Sequence, residues 1–168
     1  MKKSLFIIAM SLVATIGFAQ ENKWNAGLVI GYGTDISKAS LGGRVVWDII
    51  EPFSVAAGFN RYFKDSYDDG FVNTDVKYWD LNLDFHWNVL RGESYNVYPL
   101  IGLTYLHGKA TAEGGGEKIS NSDGKFGVNI GVGGQYNFSE NWGAAIEAKY
   151  QIRDGGQFVP SLSVMYRF

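Results

Sequence analysis

The sequence predicts an all-β fold, an eight-stranded antiparallel up-and-down transmembrane β-barrel. Three observations carry that prediction. From Trp24 to Phe168, apolar and polar residues alternate with period 2 in segments of roughly ten residues, the length of a tilted membrane strand. All five tryptophans (Trp24, Trp47, Trp79, Trp87, Trp142) fall on the apolar parity. Most strand glycines, including Gly27, Gly42, Gly102 and Gly133, fall on the opposite one, with Gly43 and Gly134 as the exceptions.

The first strand spans Trp24–Gly33, with Trp24, Leu28 and Tyr32 on the apolar face. Thr34 to Ser37 form a short loop, and the second strand runs from Ala39 to Asp48. Ile50-Glu51-Pro52 is a tight turn, since proline cannot donate a ladder bond. The third strand spans Phe53–Phe63, and Lys64–Asp75 reads as a longer acidic loop. The fourth, Val76–Val89, alternates most cleanly, with Trp79, Leu81, Leu83, Phe85 and Trp87 against Asp80, Asn82, Asp84 and His86. Arg91 to Ser94 turn the chain into the fifth strand, Tyr95–His107. Gly108–Gly124 reads as the longest loop. The sixth strand spans Lys125–Phe138, the seventh Trp142–Ile152 and the eighth Phe158–Phe168, with the Asp154-Gly155-Gly156 hairpin signal between the last two. Pro99 and Pro160 fall inside predicted strands, where a bulge is expected.

Alternation alone does not say which face is inside. The apolar parity carries roughly forty mostly bulky residues, more than the interior of eight strands can hold. The bulk therefore faces outward, and the glycines make room in a narrow lumen. Aromatics gather at the strand ends in two girdles, as rings do at membrane interfaces. Trp24, Trp47, Trp87, Trp142 and Tyr166 belong to one rim and Trp79 to the other.

The first nineteen residues stand apart. Lys2 and Lys3, an apolar run from Leu5 to Ile16, and Gly17-Phe18-Ala19 form a cleavable secretory signal peptide, too short to span a bilayer. Residues 20–168 then form one barrel domain. They hold thirteen basic and seventeen acidic residues, a balance of −4 that argues against nucleic acid as partner. The absence of cysteine excludes a disulfide scaffold. An even strand count puts both termini on one side. The short turns lie on that side and the two long connections on the other, so the termini are expected to be periplasmic and the connections extracellular.

The signal peptide, the eight alternating segments and the C-terminal stretch Ser161–Phe168 together resemble the small outer-membrane barrels of the OmpA transmembrane domain and OmpX type. The resemblance covers nearly all of the chain after residue 19. It implies a Gram-negative outer membrane, with membrane lipid and lipopolysaccharide as surroundings. Tyr166 and Phe168 match the terminal aromatic signal that the family presents to the barrel-assembly machinery. Ser163 stands where that pattern often has glycine.

The lumen parity carries Arg44, Asp48, Asp80, Asp84, His86, Glu147, Lys149 and Arg167. Charges confined in a narrow interior must pair. The expectation is a salt-bridged plug, with Arg44 and Lys149 among Asp80, Asp84 and Glu147, and with Asp48, His86 and Arg167 lower down. Conductance through a narrow channel or small-solute porin is the alternative. Some barrels of this kind modify lipid. That chemistry needs a histidine beside a serine and a carboxylate at the outer rim. His107 has no serine beside it and His86 lies at the wrong end, so no catalytic residue is assigned. Asp65, Asp68, Asp69 and Asp75 lack the spacing of a calcium loop, and no metal or cofactor is expected. The expected role is structural or surface-interacting, with any extracellular ligand met at 64–75 and 108–124.

Overall fold

The computed structural model describes residues 23–68, 73–114 and 117–168. Residues 1–19, expected to be a signal peptide, lie outside them. Eight strands form the barrel wall: β1 Trp24–Gly33, β2 Lys38–Ile50, β3 Phe53–Tyr62, β4 Asn73–Trp87, β5 Tyr95–Gly114, β6 Glu117–Asn137, β7 Trp142–Ile152 and β8 Gln157–Arg167. Each pairs antiparallel with its sequence neighbours, and β1 pairs with β8 from Asn25↔Arg167 to Gly31↔Ser161, which closes the barrel. Closure leaves no sheet edge within the wall, so every wall strand can satisfy its backbone donors inside a membrane.

The inside and outside are inverted relative to a water-soluble fold. Leu28, Leu83, Leu103, Ile130 and Ile146 are each more than half exposed. Asp80, Asp84, Asn129, Glu147 and Lys149 are buried. The glycines explain how the polar groups fit. A Cβ on Gly102 would lie 2.3 Å from Asp84 Oδ1, and one on Gly133 would lie 2.6 Å from the Tyr98 ring. A Cβ on Gly134, one residue on, would meet only backbone at 3.6 Å. The lumen also holds a small apolar cluster, Val46, Ala56 and Met165, which the polar parity alone does not announce.

The aromatic girdles are in ring contact on the outward face. At the end that carries both termini, Trp24 stacks on Trp47 at 5.4 Å, and Tyr166 meets Trp142 at 5.1 Å and Phe168 at 5.0 Å. At the other end, Trp79 meets Phe59 at 6.1 Å, Tyr105 at 5.7 Å and His107 at 5.1 Å.

The two long connections are corrected. Both are hairpins rather than loops. Gly108–Gly114 pairs with residues of 117–123, ending at Gly114↔Glu117. A short strand, Asp65–Asp68, pairs with Asn73–Val76. With β4 and β5 paired as far as Asn73↔Glu113, these segments form a four-stranded sheet that rises past the Trp79 girdle. The second connection, Gly108–Gly124, carries no period-2 apolar signal because neither face is buried over 108–112 and 119–123. Its pairing is carried by backbone hydrogen bonds.

Pro160 causes no register shift, but Pro99 does: pairing on that side of β5 resumes beyond it at Leu90↔Val97, one residue out of step with His86↔Leu100. The β4–β5 ladder stops at His86↔Leu100, one residue short of Pro99, and the β1–β8 ladder stops at Gly31↔Ser161, one residue short of Pro160. A second irregularity lies between Asp48 and Ile50 of β2.

Candidate functional site

Two regions are candidates: the filled lumen and the sheet that rises from the end opposite the termini. The lumen is built by alternate residues of all eight strands, which converge from widely separated parts of the sequence. At its centre Arg44 of β2 reaches across to Glu147 of β7. Nη1 donates to Oε1 at 2.7 Å and Nη2 to Oε2. Tyr98 Oη also donates to Glu147 Oε1, at 2.8 Å. His86 stacks on Tyr98 at 4.3 Å, with Nε2 at 3.9 Å from Glu147 Oε1. His86 therefore belongs to the Arg44–Glu147 layer rather than below it.

The next layer holds a second ion pair, Lys149 Nζ to Asp84 Oδ2 at 3.0 Å. Asn129 donates to Asp84 at 2.6 Å and to Asn82 at 3.0 Å. Above it, Asp80 departs from the expected pairing with Arg44 or Lys149. It accepts from Asn60 at 2.9 Å, Tyr62 at 2.8 Å and Asn82 at 2.7 Å. Three neutral donors satisfy a fully buried carboxylate without a salt bridge. Gln151, Thr104 and Gln157 continue the network toward the rising sheet.

Near the termini, Asp48 accepts from Ser54 Oγ at 2.6 Å and lies 3.7 Å from Arg91. Arg167 donates to Asn25 at 3.4 Å. These groups line a cavity of about 60 Å³, and a second void of about 10 Å³ lies beside Asp84 and Lys149. A cavity needs roughly 10–15 Å³ for a single water, so these spaces hold a few waters at most.

Sequence reasoning missed Tyr62, Tyr98, Arg91 and the amide ladder of Asn82, Asn129, Gln151 and Gln157. The lumen parity of all but Arg91 and Gln157, which falls one residue before the predicted eighth strand, was readable. Their height and facing partner were not, because barrel strands are staggered and opposite walls share no local pairing. Arg91 falls in a predicted turn, but Leu90–Arg91 forms a short strand with Asn96 and Val97.

His107 points outward into the girdle against Trp79. Asp69 lies outside the described residues. Among the described residues, no three His, Cys, Asp or Glu side chains come together to hold a metal ion.

The rising sheet has an unclosed side. The β6–β7 ladder begins at Val128↔Ile152. Among the described residues, nothing pairs with residues 117–127 on that side. A cleft of about 320 Å³ lies at its base, lined by Asp35, Tyr78, Leu106, Asp123, Lys125 and Arg153, among others.

The sequence matches the family described as "Outer membrane protein beta-barrel domain" over residues 6–168. No curated protein matches it at a significant level. Among solved structures it is similar to Ail, the attachment invasion locus protein of Yersinia pestis (TM-score 0.61, 19% identity, 89% of this chain and 100% of that one). It is similar also to the N-terminal β-barrel domain of Pseudomonas aeruginosa OprF (0.58, 19%, 88% and 98%). A major outer membrane protein of Thermus thermophilus matches with TM-score 0.59 and 14% identity, over 89% of this chain and 100% of that one. At these identities the likeness is one of fold.

Proposed function

This chain belongs to the outer membrane protein β-barrel domain family, and from that premise we propose a non-catalytic outer-membrane protein that acts through the sheet it raises above the membrane. In this reading the termini are periplasmic and the sheet of Asp65–Asp68, β4, β5 and β6 stands on the cell exterior. The observation that carries the reading is the side of residues 117–127 that faces away from β5, which pairs with nothing among the described residues. An exposed strand edge offers a row of donors and acceptors to an incoming strand. The filled lumen supports the same view. Two buried ion pairs cross the lumen, and the voids beside them are about 60 and 10 Å³, which favours a plug over a pore. Ail, similar in fold, carries attachment in its name.

The test replaces residues 110–121 with a short Gly-Ser turn. Equal outer-membrane levels and heat-modifiable gel migration would establish an intact barrel. Cells bearing the shortened protein are expected to lose the binding to host cells or matrix that the full chain supports. Unchanged binding would reject the reading. If detergent sensitivity instead follows deletion of the whole gene and the shortened chain restores resistance, the role lies in the envelope.

A further inference from the structure

We infer that the cleft at the base of the rising sheet binds a small organic carboxylate with an apolar body, and that Arg153 is the residue that holds its charge. The site is separate from the unpaired sheet edge. It is built on the lumen side, where the barrel mouth meets the inner face of the sheet.

Arg153 follows β7 on the lumen parity, one step beyond the last β6–β7 pair, Val128↔Ile152. A Cβ on Gly127 would lie 2.9 Å from Arg153 Cβ, so this glycine leaves room for the arginine stem. The Arg153 side chain is only 2% exposed. Nη1 donates to Asp154 O at 3.1 Å. Nε and Nη2 are buried and, among the described residues, make no hydrogen bond. These two nitrogens form one side of the guanidinium fork, which grips a carboxylate by two parallel bonds. The lumen cations differ: Arg44 and Lys149 each donate directly to a carboxylate. A buried donor without an acceptor is costly, so the unbonded side of the Arg153 fork calls for a partner. Asp35 Oδ2 lies 3.5 Å from Nη2 without bonding it, and the Asp35 side chain is 41% exposed, so it can turn into water as a ligand enters.

The rest of the cleft sets the kind of ligand. Its volume of about 320 Å³ is at the small end of ligand pockets, which run from about 300 to 1,000 Å³. Ile36, Val76 and Leu106 give it apolar walls, and Tyr78 adds a ring. A Cβ on Gly108 would lie 2.8 Å from that ring, so a second glycine makes room there. The charged residues of the lining are Lys109, Lys125 and Arg153 against Asp35 and Asp123, an excess of one positive charge. A single carboxylate balances that excess. A phosphate or a sulfated sugar exceeds it and meets two carboxylates besides.

The experiment places the chain from residue 20 in nanodiscs of zwitterionic phospholipid and follows the side-chain Nε–H resonances of its arginines during titration. The probes are hydrocinnamate, the corresponding alcohol, acetate and inorganic phosphate. Hydrocinnamate is expected to bind saturably and to shift the Arg153 Nε–H resonance, which is identified by its loss in R153K. The alcohol lacks the charge and acetate lacks the apolar body, so each should bind weaker by about tenfold or more. R153Q and R153K should weaken hydrocinnamate by about the same factor, since a lysine keeps the charge but not the fork. Lys77, which stands opposite Lys109 in the β4–β5 ladder, does not line the cleft, and K77Q should leave binding unchanged. Heat-modifiable migration checks that each variant is folded. Should neither Arg153 variant fold, the comparison of acid with alcohol on the wild-type chain decides. No saturable binding, equal binding of the alcohol, undiminished binding in R153K, an equal loss in K77Q, or displacement by inorganic phosphate would each overturn the inference. The assay needs no orientation and no partner cell. Failure here therefore leaves the edge-binding reading standing, and failure of that reading leaves this one.

Discussion

Gly133 and Gly134 are neighbours in sequence with opposite surroundings, and the difference is one of parity. On Gly133 a Cβ would stand 2.6 Å from the Tyr98 ring and 2.8 Å from Glu147 Cγ, groups already tied to Arg44. On Gly134 it would project outward and meet only the Asn96 carbonyl oxygen, at an ordinary 3.6 Å. Gly133→Val is expected to cost about 1–3 kcal/mol by overpacking, and Gly134→Val to stay within about 0.5 kcal/mol. Urea unfolding of the two refolded variants in one detergent measures both. Equal losses would mean that the lumen gives way where it is described as full. The parity of each glycine was legible in the sequence. The identity of the group it makes room for was not. Gly133 is fourteen residues from Glu147 and thirty-five from Tyr98, and only the β6–β7 register, Gly133↔Glu147, and the neighbouring β5–β6 register, Tyr98↔Gly133, bring the three together.

Among the elements, the last strand has a double task. β8 closes the wall against β1, and Phe168 N donates to Trp24 O at 2.9 Å just past its end. Its terminal rings, Tyr166 and Phe168, lie edge to face in the girdle. If these rings also carry the proposed assembly signal, Phe168→Ala separates the two tasks. The backbone bond survives the substitution, so the purified variant should still refold to a heat-modifiable barrel. Its level in outer-membrane fractions should fall severalfold. A normal cellular level would remove the assembly role. The wall strands were legible as elements because each has one lipid face and one crowded polar face, the condition that writes period 2 into a sequence. The upper halves of β4, β5 and β6 were not. In water, a two-sided polar hairpin is held by backbone bonds that many residue types can make, so segments such as Gly108–Gly114 leave no pattern to read.

For the molecule as a whole, the question is whether the barrel is a wall or a pore. Arg44–Glu147 and Lys149–Asp84 cross the lumen in adjacent layers, and each pair is buried. In planar bilayers the wild-type chain is expected to give no steady single-channel openings; stable openings would overturn the plug. The central pair is a liability as well as a closure. Arg44→Met leaves Glu147 buried without its cation, a change expected to cost about 3–5 kcal/mol, whereas R44M/E147Q should recover much of that loss. Unfolding midpoints of the two variants test the sign. The sequence by itself determined the eight-stranded barrel and the two alternating faces of its wall strands. Alternation is a local consequence of one strand meeting two solvents, so one strand suffices to record it. Only the tertiary structure decided that Arg44 takes Glu147, that Asp80 is held by neutral donors, and that Lys77 stands opposite Lys109. Those pairings depend on the stagger between strands and on distance across the lumen, quantities that belong to the closed sheet and are encoded by no single segment.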